Sequence, residues 1–381
     1  MVDLKESREK LDRIDTQIVE LFEERMKIVK DVAEYKISTG KPVLDKEREK
    51  KKLESVCSMA DNEFNRHGIF ELFTQLFSIS RKLQYSMLHT KVMGTNFLPV
   101  ETLTLKPDFN VVYFGTEGSY TEQATQEYFG ETVNRFSAET FRDVMAAVKE
   151  GRADYGVLPI ENTTTGGITD SYDLLVEFDN YIIAEHILKV NQALLGLPGT
   201  SLSELKSVYS HPQGLLQSRK YLENYPNIKT IECSSTAAAA KKVFIDQDKT
   251  QAAVAGIQAA KTYHLEVLAS NINHEQGNST RFIIITNKKI FLKNSDKVSI
   301  CFSIPHQSGS LYTMLSHIIY NNLNMTKIES RPLPGRNFEY RFFVDFEGNF
   351  GEASVNNTLD GILAEALELK VLGNYPTVIE K

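Results

Sequence analysis

Cysteine is scarce in this chain, and the usual sequence signals of metal and nucleotide binding are missing. The three cysteines among 381 residues are far apart, so they form neither a CxxC pair nor a disulfide framework. The eight histidines show no HxxxH or HExxH spacing. GxGxxG and GxxxxGKS/T are also absent, which argues against a dinucleotide site or a P-loop. We therefore expect no metal and no cofactor.

The chain also lacks an excess of positive charge and any long apolar run. Lys and Arg number 43 against 50 Asp and Glu, and the net charge of −7 argues against a general nucleic-acid binder. No run of about 18 uninterrupted apolar residues occurs, and the opening MVDLKESREK has no apolar signal core. These features favour a cytoplasmic protein without nucleic-acid or membrane partners.

A chain of 381 residues is too long for one ordinary core and indicates two or three domains. Residues 1–90 have the pattern of three helices, at 5–39, about 45–59 and about 62–88. We call them the helical unit. Its first helix is too long to bury its apolar seam alone, so we expect it to pair with a second copy. Residues 91–108 have the glycine and proline content of a linker.

Strand-like and helical segments alternate beyond the linker, which predicts an α/β middle domain over residues 109–288. Its predicted strands are 110–114, 155–160, 181–187 and 281–286, and its clearest helices are 121–129 and 138–149. A polar break over 288–297 precedes a terminal module over 298–375. The order there is strand 298–304, helix 310–321, strands 325–331 and 340–346, helix 354–369 and a short last strand. This order predicts a ferredoxin-like βαββαβ fold.

One charged residue interrupts the apolar seam of the first helix. Apolar side chains recur there at steps of three and four, at Leu11, Ile14, Ile18, Leu21, Ile28 and Val32. Arg25 occupies the seam position between Leu21 and Ile28. Burying an unpaired charge is costly, so an anion should meet it, either a Glu of a neighbouring helix or a ligand. Lys36 lies within about 20° of Arg25 on the helix and adds a second cation, which favours a dianionic ligand.

The other two helices of the helical unit also place polar groups on their inner faces. Asp45, Arg48 and Glu49 share one face at the start of the second helix. Ser80 and Gln84 continue the stripe of apolar positions in the third helix. Arg8 points about 100° away from Arg25, so it would serve the pocket of a partner chain. Residues that only fix the register of the helices remain an alternative.

With these residues in place, the helical unit resembles the all-helical chorismate mutase family. The resemblance implies an all-α, domain-swapped helical homodimer that rearranges chorismate, a dianion, to prephenate in one pericyclic step. Its active-site positions correspond here to Arg8, Arg25, Lys36, Asp45, Arg48, Glu49, Ser80 and Gln84. Arg25 and Arg8 of the partner subunit would bind the two carboxylates, and Lys36 and Gln84 would donate to the ether oxygen. Asp45 and Glu49 would take the ring hydroxyl or orient donors, while Arg48 and Ser80 complete the contacts.

Five motifs mark the middle domain: GTEGSYT (115–121), PIENTTTGG (159–167), SHPQGLLQ (210–217), SSTAAAA (234–240) and NSTRF (278–282). Each alone is an ordinary turn, loop or helix start, and Ser and Thr in SSTAAAA are typical helix caps. Together they resemble prephenate dehydratase over residues 110–288, with a two-lobed fold like that of periplasmic binding proteins.

This second resemblance implies a reaction that expels the ring hydroxyl and carbon dioxide together and gives phenylpyruvate. Thr280 would donate toward the leaving hydroxyl, and Arg281 would bind or position a carboxylate. Glu161, Asn162, Ser210 and Gln217 would line the cleft and orient prephenate. His211 is either a general acid or a structural residue.

The terminal module contains SGSLYTML (308–315) and IESRPLPG (328–335), and it resembles the ACT domain that follows prephenate dehydratase. The resemblance implies a phenylalanine site at a subunit interface, formed by Gly309, Ser310, Leu311, Glu329, Ser330, Arg331 and Pro332. The chain has Gly-Ser-Leu where that family often has Gly-Ala-Leu. A dimerisation module without a ligand is the alternative.

Taken whole, the chain resembles the bifunctional P-protein family, in which a mutase is joined to a dehydratase under feedback by phenylalanine. We expect the substrates chorismate and prephenate, and a homodimer or larger homo-oligomer. A mutase fused to prephenate dehydrogenase would need the absent dinucleotide fingerprint. A non-catalytic amino-acid sensor is the alternative from another class.

Overall fold

A computed structural model describes residues 3–87, 96–103, 108–274, 277–333, 335–336 and 339–378. Its helices, in chain order, are α1 (Leu4–Thr39), α2 (Lys46–Cys57), α3 (Glu63–Met87), α4 (Tyr120–Phe129), α5 (Phe141–Lys149), α6 (Thr169–Glu177), α7 (Pro212–Gln217), α8 (Arg219–Leu222), α9 (Thr236–Asp246), α10 (Ile257–Tyr263), α11 (Ser310–Tyr320) and α12 (Ala353–Glu365).

The strands are β1 (Leu98–Val100), β2 (Asn110–Phe114), β3 (Asn134–Ala138), β4 (Tyr155–Asn162), β5 (Gly166–Gly167), β6 (Tyr181–Lys189), β7 (Ala193–Gly196), β8 (Ser207–Ser210), β9 (Lys229–Glu232), β10 (Gln251–Ala255), β11 (Glu266–Ala269), β12 (Ser279–Thr286), β13 (Ile290–Leu292), β14 (Lys297–Ser303), β15 (Met325–Pro332), β16 (Tyr340–Glu347) and β17 (Glu368–Tyr375).

The helical unit consists of the long α1 and two shorter helices that pack beside its C-terminal part. Asp3 caps α1 by accepting a hydrogen bond from the backbone N–H of Lys5, and Gly40 ends it with a φ of 67°. The apolar seam positions Leu11, Ile14, Ile18, Leu21 and Ile28 are 51% to 65% exposed in the single chain. In the single chain, α1 therefore exposes a continuous apolar stripe.

The middle domain has two lobes. The first lobe contributes β3, β2, β4, β12 and β6, which are neighbours in one sheet, and the second lobe has its own sheet in the order β11-β7-β10-β8-β9. The chain passes from the first lobe to the second after β6 and returns after β11. The predicted two-lobed α/β arrangement is therefore present. Two segments, after β6 and after β11, connect the lobes.

The terminal module has the order β14-α11-β15-β16-α12-β17, and its strands pair antiparallel in the spatial order β15-β16-β14-β17. One face of this sheet packs on the middle domain, where Phe343 joins a buried cluster with Tyr172. Val344, which points to the other face, is buried with residues of α11 and α12. Helix α3 then packs against α12 and α11. The terminal module thus lies between the helical unit and the middle domain.

Several sequence boundaries differ from the structure. The predicted linker 91–108 includes β1, and the predicted polar break includes β13, which pairs with it. Phe97 is buried against Tyr181 and Phe350, so this part of the linker is packed. Residues 91–95 and 104–107 of the linker lie outside the described residues. The predicted helix 354–369 ends at Glu365, because the chain is already in β17 from residue 368.

Candidate active sites

One cavity in the helical unit is lined by most of the polar residues selected from the sequence. It has a volume of about 860 Å³ and lies among α1, α2 and α3. Seven of the eight predicted residues line it, namely Arg25, Lys36, Asp45, Arg48, Glu49, Ser80 and Gln84. Its other lining residues include apolar ones, such as Val29 and Phe77, and charged ones, such as Lys52 and Arg81. Apolar walls with several convergent cations suit a small organic anion.

Arg25 enters this cavity from the seam of α1. It donates hydrogen bonds to the carbonyl oxygen of Leu76 at 3.3 Å and to Oγ of Ser80, and it lies 5.8 Å from the ring centroid of Phe77. Burial lowers the pKa of Arg25, while the charge of Glu49 opposes that effect. These direct contacts are with neutral groups, which hold the guanidinium in place without neutralising it. Its charge is therefore available to a carboxylate ligand.

Lys36 of α1 and the start of α2 line another part of the same cavity. Nζ of Lys36 donates to the carbonyl oxygen of Val43 at 2.6 Å. Burial lowers the pKa of Lys36, and the carboxylates of Asp45 and Glu49 oppose this. Asp45 is also the N-cap of α2, because its carboxylate accepts from the backbone N–H of Arg48 at 3.0 Å. This cap fixes the turn of helix that carries Arg48 and Glu49 into the cavity.

Arg8 is the predicted residue that the single chain leaves outside the cavity. It is exposed near the start of α1. At 1.5 Å per residue it lies about 26 Å along the helix axis from Arg25. Arg8 therefore cannot contact a ligand held by Arg25 of the same chain.

In the middle domain, strands β4 and β12 bring Asn162 and Thr280 together. The two residues lie opposite each other in the antiparallel register. Nδ2 of Asn162 donates to Oγ1 of Thr280 at 2.9 Å and to Oδ1 of Asn278 at 2.7 Å. Oδ1 of Asn162 accepts from the backbone N–H of Thr164 at 3.0 Å and of Thr165 at 3.2 Å. Asn162 therefore connects the NTTTGG loop to the threonine of NSTRF.

Ser210 and Gln217 lie in the second lobe. Ser210 is fully buried, and its hydroxyl donates to the carbonyl oxygen of Val254 at 2.7 Å. Gln217 ends α7, and its Oε1 accepts from Nε2 of Gln192 at 3.1 Å. Gln192 belongs to the segment that crosses between the lobes, so Gln217 lies near the junction of the lobes, whereas Ser210 supports the second lobe from inside.

His211 has a structural contact. Its Nδ1 accepts from the backbone N–H of Gln213 at 3.2 Å and caps α7. Ser235 caps α9 in the same way, by accepting from the backbone N–H of Ala238 at 3.0 Å, as the SSTAAAA motif predicts. The structural interpretation of His211 therefore agrees with its hydrogen bond.

Glu161 and Arg281 lie on the face of their strands opposite to Asn162 and Thr280, because neighbouring residues of a strand alternate. The Arg281 guanidinium is 3.6 Å from Glu161, 3.9 Å from Glu185 and 3.8 Å from Asp345 of the terminal module. Burial acts against the charge of Arg281, but these carboxylates outweigh it and raise its pKa. The structure does not bring Glu161 and Arg281 together with the Thr280 group.

The terminal module has a cavity of about 320 Å³ at the start of α11. Gly309, Ser310 and Leu311 line it, and Gly309 precedes the helix with a φ of 81°. The other predicted residues, Glu329, Ser330, Arg331 and Pro332, lie on β15 and are not among those that line this cavity. Arg331 instead pairs with Asp173 of the middle domain at 2.7 Å.

Sequence reasoning missed several residues at these sites. Arg81 lines the cavity of the helical unit beside Ser80, and Asn278 bonds Asn162. Tyr120 donates to Oε1 of Gln192 at 3.2 Å at the junction of the lobes. Asn278 lies in NSTRF and Tyr120 in GTEGSYT, so these two motifs could have identified both residues. Arg81 carried no such signal.

In the part of the chain that the structure describes, no helix is both long and apolar enough to cross a membrane. No group of three or more His, Cys, Asp or Glu side chains there is arranged to hold a metal ion.

The chain matches two family profiles, chorismate mutase type II over residues 7–85 and prephenate dehydratase over residues 111–290. It is 35% identical over 382 residues to a bifunctional chorismate mutase/prephenate dehydratase of Aquifex aeolicus, and the match covers 100% of this chain and 99% of that protein.

Two solved structures are each similar to about 70% of this chain. Prephenate dehydratase of Arthrobacter aurescens in complex with L-Phe has a TM-score of 0.65 and 27% identity, covering 70% of this chain and 90% of the other. A protein described as a novel type of quorum quenching acylase has a TM-score of 0.66 and 29% identity, covering 71% of this chain and 98% of the other.

Proposed function

The chain belongs to the family of bifunctional chorismate mutase/prephenate dehydratases, and from this membership we propose how its sites divide the chemistry. It has chorismate mutase and prephenate dehydratase activities, and it acts in the biosynthesis of phenylalanine. This sets aside the alternative of a non-catalytic sensor. The first reaction belongs to the cavity of the helical unit and the second to the junction of the two lobes of the middle domain.

In the mutase site, Arg25 and Arg8 of the partner subunit bind the two carboxylates of chorismate. Lys36 and Gln84 donate to the ether oxygen as negative charge develops there. Asp45, Arg48, Glu49 and Ser80 orient the ring hydroxyl and the donors. No nucleophile is needed, because the rearrangement is pericyclic and the site acts by holding the reactive conformer. The hydrogen bonds of Arg25 support this assignment, since both go to neutral oxygens and position the guanidinium without neutralising it.

In the dehydratase site, Thr280 donates a hydrogen bond to the ring hydroxyl of prephenate as the C–O bond breaks. Its Oγ1 accepts from Asn162, so its own O–H is free to point to a ligand. The ring carboxylate leaves as carbon dioxide, and the electrons of its C–C bond complete the aromatic ring of phenylpyruvate. The hydroxyl leaves with the electrons of the C–O bond and takes up a proton to become water. Gln217 orients prephenate from the second lobe. The ion pairs of Arg281 favour a role in holding β12 rather than in contacting prephenate.

The terminal module is an ACT domain that binds phenylalanine and inhibits dehydration. The relative of Arthrobacter aurescens is described in complex with L-Phe. Here the cavity beside Gly309 lies at the N-terminal end of α11, where the helix dipole favours a carboxylate. Ser330 and its neighbours on β15 would act across a subunit interface, since in the single chain they lie outside this cavity.

The active assembly is a homodimer, or a larger homo-oligomer, in which two copies of α1 pair. The exposed apolar seam of α1 supports pairing, because monomers rarely expose such a continuous stripe. The distance between Arg8 and Arg25 supports it independently. An antiparallel partner helix would bring its own Arg8 toward the cavity.

The observation that carries the two-site proposal is the separation of the residue sets. Arg25 lies in a cavity of the helical unit, and Thr280 lies at the start of β12, next to the segment by which the chain returns from the second lobe of the middle domain. The test is to supply chorismate and to follow prephenate and phenylpyruvate separately. We expect prephenate first and phenylpyruvate from it. If phenylpyruvate formed from chorismate while no free prephenate could be detected at any time, two independent sites would be contradicted.

A further inference from the structure

Arg81 of α3 joins the helical unit to the terminal module. Its Nη1 donates to Oε2 of Glu49 at 2.6 Å, and its Nε donates to Oε1 of Glu365 on α12 at 2.7 Å. A second hydrogen bond, from Nη2 to Oε2 of Glu365 at 3.4 Å, makes the latter pair bidentate. One guanidinium therefore connects a carboxylate in the mutase cavity to a carboxylate of the regulatory fold.

The hydrogen bonds between Arg81 and Glu365 are buried, so a lost partner could not be replaced by bulk water. The side chains of Arg81 and Glu365 are only 8% and 6% exposed. Burial acts against the charge of Arg81, but Glu365 and Glu49 outweigh it and raise the pKa of the guanidinium. Breaking a buried pair leaves an uncompensated charge, so both carboxylates are held to the fork of Arg81.

Glu49 faces the mutase cavity at the other end of this bridge. Its charge acts on Arg25 and Lys36, which are the cations assigned to the substrate. A shift of the Glu49 carboxylate would change both its own contact with substrate and the field on these cations. Arg81 follows Ser80 directly and lines the same cavity. It can therefore act on the reaction by fixing where Glu49 lies.

We propose that Arg81 is a positioning residue of the mutase site, and that Glu365 of the terminal module holds it in place. This inference rests on the proposed assignment of Glu49 to the mutase site. It makes the efficiency of the mutase depend on the docking of α12 against α3. The terminal module then supports chorismate rearrangement directly, in addition to its proposed role toward the dehydratase.

The test uses the full chain with Arg81→Met, Arg81→Lys and Glu365→Gln, assayed separately with chorismate and with prephenate. We expect Arg81→Met to lower the mutase kcat about tenfold or more, because small misplacements of a catalytic group are costly. KM should change less, since Arg25 still binds the substrate. Arg81→Lys should restore part of kcat. Glu365→Gln should also lower it, and dehydration of prephenate should be unchanged in all three variants.

A double-mutant cycle separates positioning from simple stabilisation. In a Glu49→Gln background, Glu365→Gln should have no further effect on the mutase, because its target carboxylate is already altered. Lys82→Met is the matched control, since Lys82 contacts Ser316 at 2.9 Å in the same interface without touching Glu49. This control should keep the wild-type mutase kcat.

Two outcomes are distinguishable. If the wild-type chain does not consume chorismate, the proposed mutase site itself is wrong. If the wild type is active and Arg81→Met and Glu365→Gln keep its kcat, or if Lys82→Met loses as much, the positioning role of Arg81 is wrong.

Discussion

The side-chain amide of Asn162 donates to the hydroxyl oxygen of Thr280 at 2.9 Å, and this single contact decides what the threonine can do next. A hydroxyl that accepts from the protein keeps its own proton for another acceptor. The amide oxygen of Asn162 is occupied by the backbone of the NTTTGG loop, so the amide cannot turn round without losing those bonds. The fold therefore makes the Thr280 hydroxyl an acceptor toward Asn162 and leaves it a donor toward a ligand.

Thr280→Val keeps the shape of the side chain and removes the O–H. Loss of one donor to a developing negative oxygen costs about 10² to 10³ in kcat, so dehydration of prephenate should fall by that factor. Thr280→Ser keeps the O–H and should retain most activity. Phenylpyruvate formation from supplied prephenate measures both, and mutase turnover should not change. An unchanged phenylpyruvate yield in Thr280→Val would remove Thr280 from the mechanism.

Asn162→Asp tests the direction of the same hydrogen bond. The new carboxylate can still accept from the N–H groups of Thr164 and Thr165, so the loop should stay in place. It cannot donate to Thr280, and it would instead attract the threonine proton. We expect dehydratase kcat to fall nearly as far as in Thr280→Val, while mutase turnover of the same variant should be unchanged. The melting temperature should fall, because the new carboxylate loses the hydrogen bond to Oδ1 of Asn278. If Asn162→Asp were fully active, the hydroxyl of Thr280 would not need to be a donor.

Arg25→Met tests the mutase site. The substitution keeps an apolar chain on the seam but removes the guanidinium, so mutase kcat/KM should fall about 10²-fold or more. Dehydration of supplied prephenate should be unchanged, because Thr280 belongs to another domain. Arg13→Met on the exposed surface of α1 is the matched control and should leave both activities intact. Equal loss of both activities in Arg25→Met would contradict separate sites.

The sequence could predict residues whose signal is local. The seam of α1 shows Arg25 by its period alone, and Gly40 marks the end of that helix. The alternation of β12 could also have separated Thr280 from Arg281, since adjacent strand residues face opposite sides. The resemblance grouped them with the same substrate, and the structure puts Arg281 among three carboxylates instead.

Residues whose partners are distant in sequence could not be predicted in this way. Arg81 meets Glu49 and Glu365, which are 32 and 284 positions away, and no local pattern encodes such pairs. The three-residue strands β1 and β13 were missed because they are too short to show a period, and each is stabilised by pairing with the other. Long-range contacts also decide that the sheet of the terminal module packs on the middle domain and that its helices pack on α3.

Gly309→Ala tests the phenylalanine site. Gly309 has a φ of 81°, which strains any residue with a Cβ, although the added atom would meet nothing within 4 Å. The turn before α11 should therefore change shape, and the phenylalanine concentration for half-inhibition of dehydration should rise about tenfold. Gly151→Ala, at a φ of 76° in the middle domain, is the matched control and should keep normal inhibition. Unchanged inhibition in Gly309→Ala would place the effector elsewhere.

The last prediction tests whether Arg8 acts in the partner's mutase site. Arg8→Ala and Arg25→Ala should each lack mutase activity, because every site in either homodimer misses one carboxylate ligand. In a mixed dimer, one site combines the intact Arg25 of one chain with the intact Arg8 of the other, and the second site lacks both. Random exchange of subunits should therefore restore about a quarter of wild-type activity, as expected for a two-fold symmetric dimer. Mixing followed by dilution and reassociation, with chorismate consumption as the readout, measures this. If no activity returns although subunits exchange, both arginines serve the same chain, and the 26 Å of helix between them would have to be bridged in some other way.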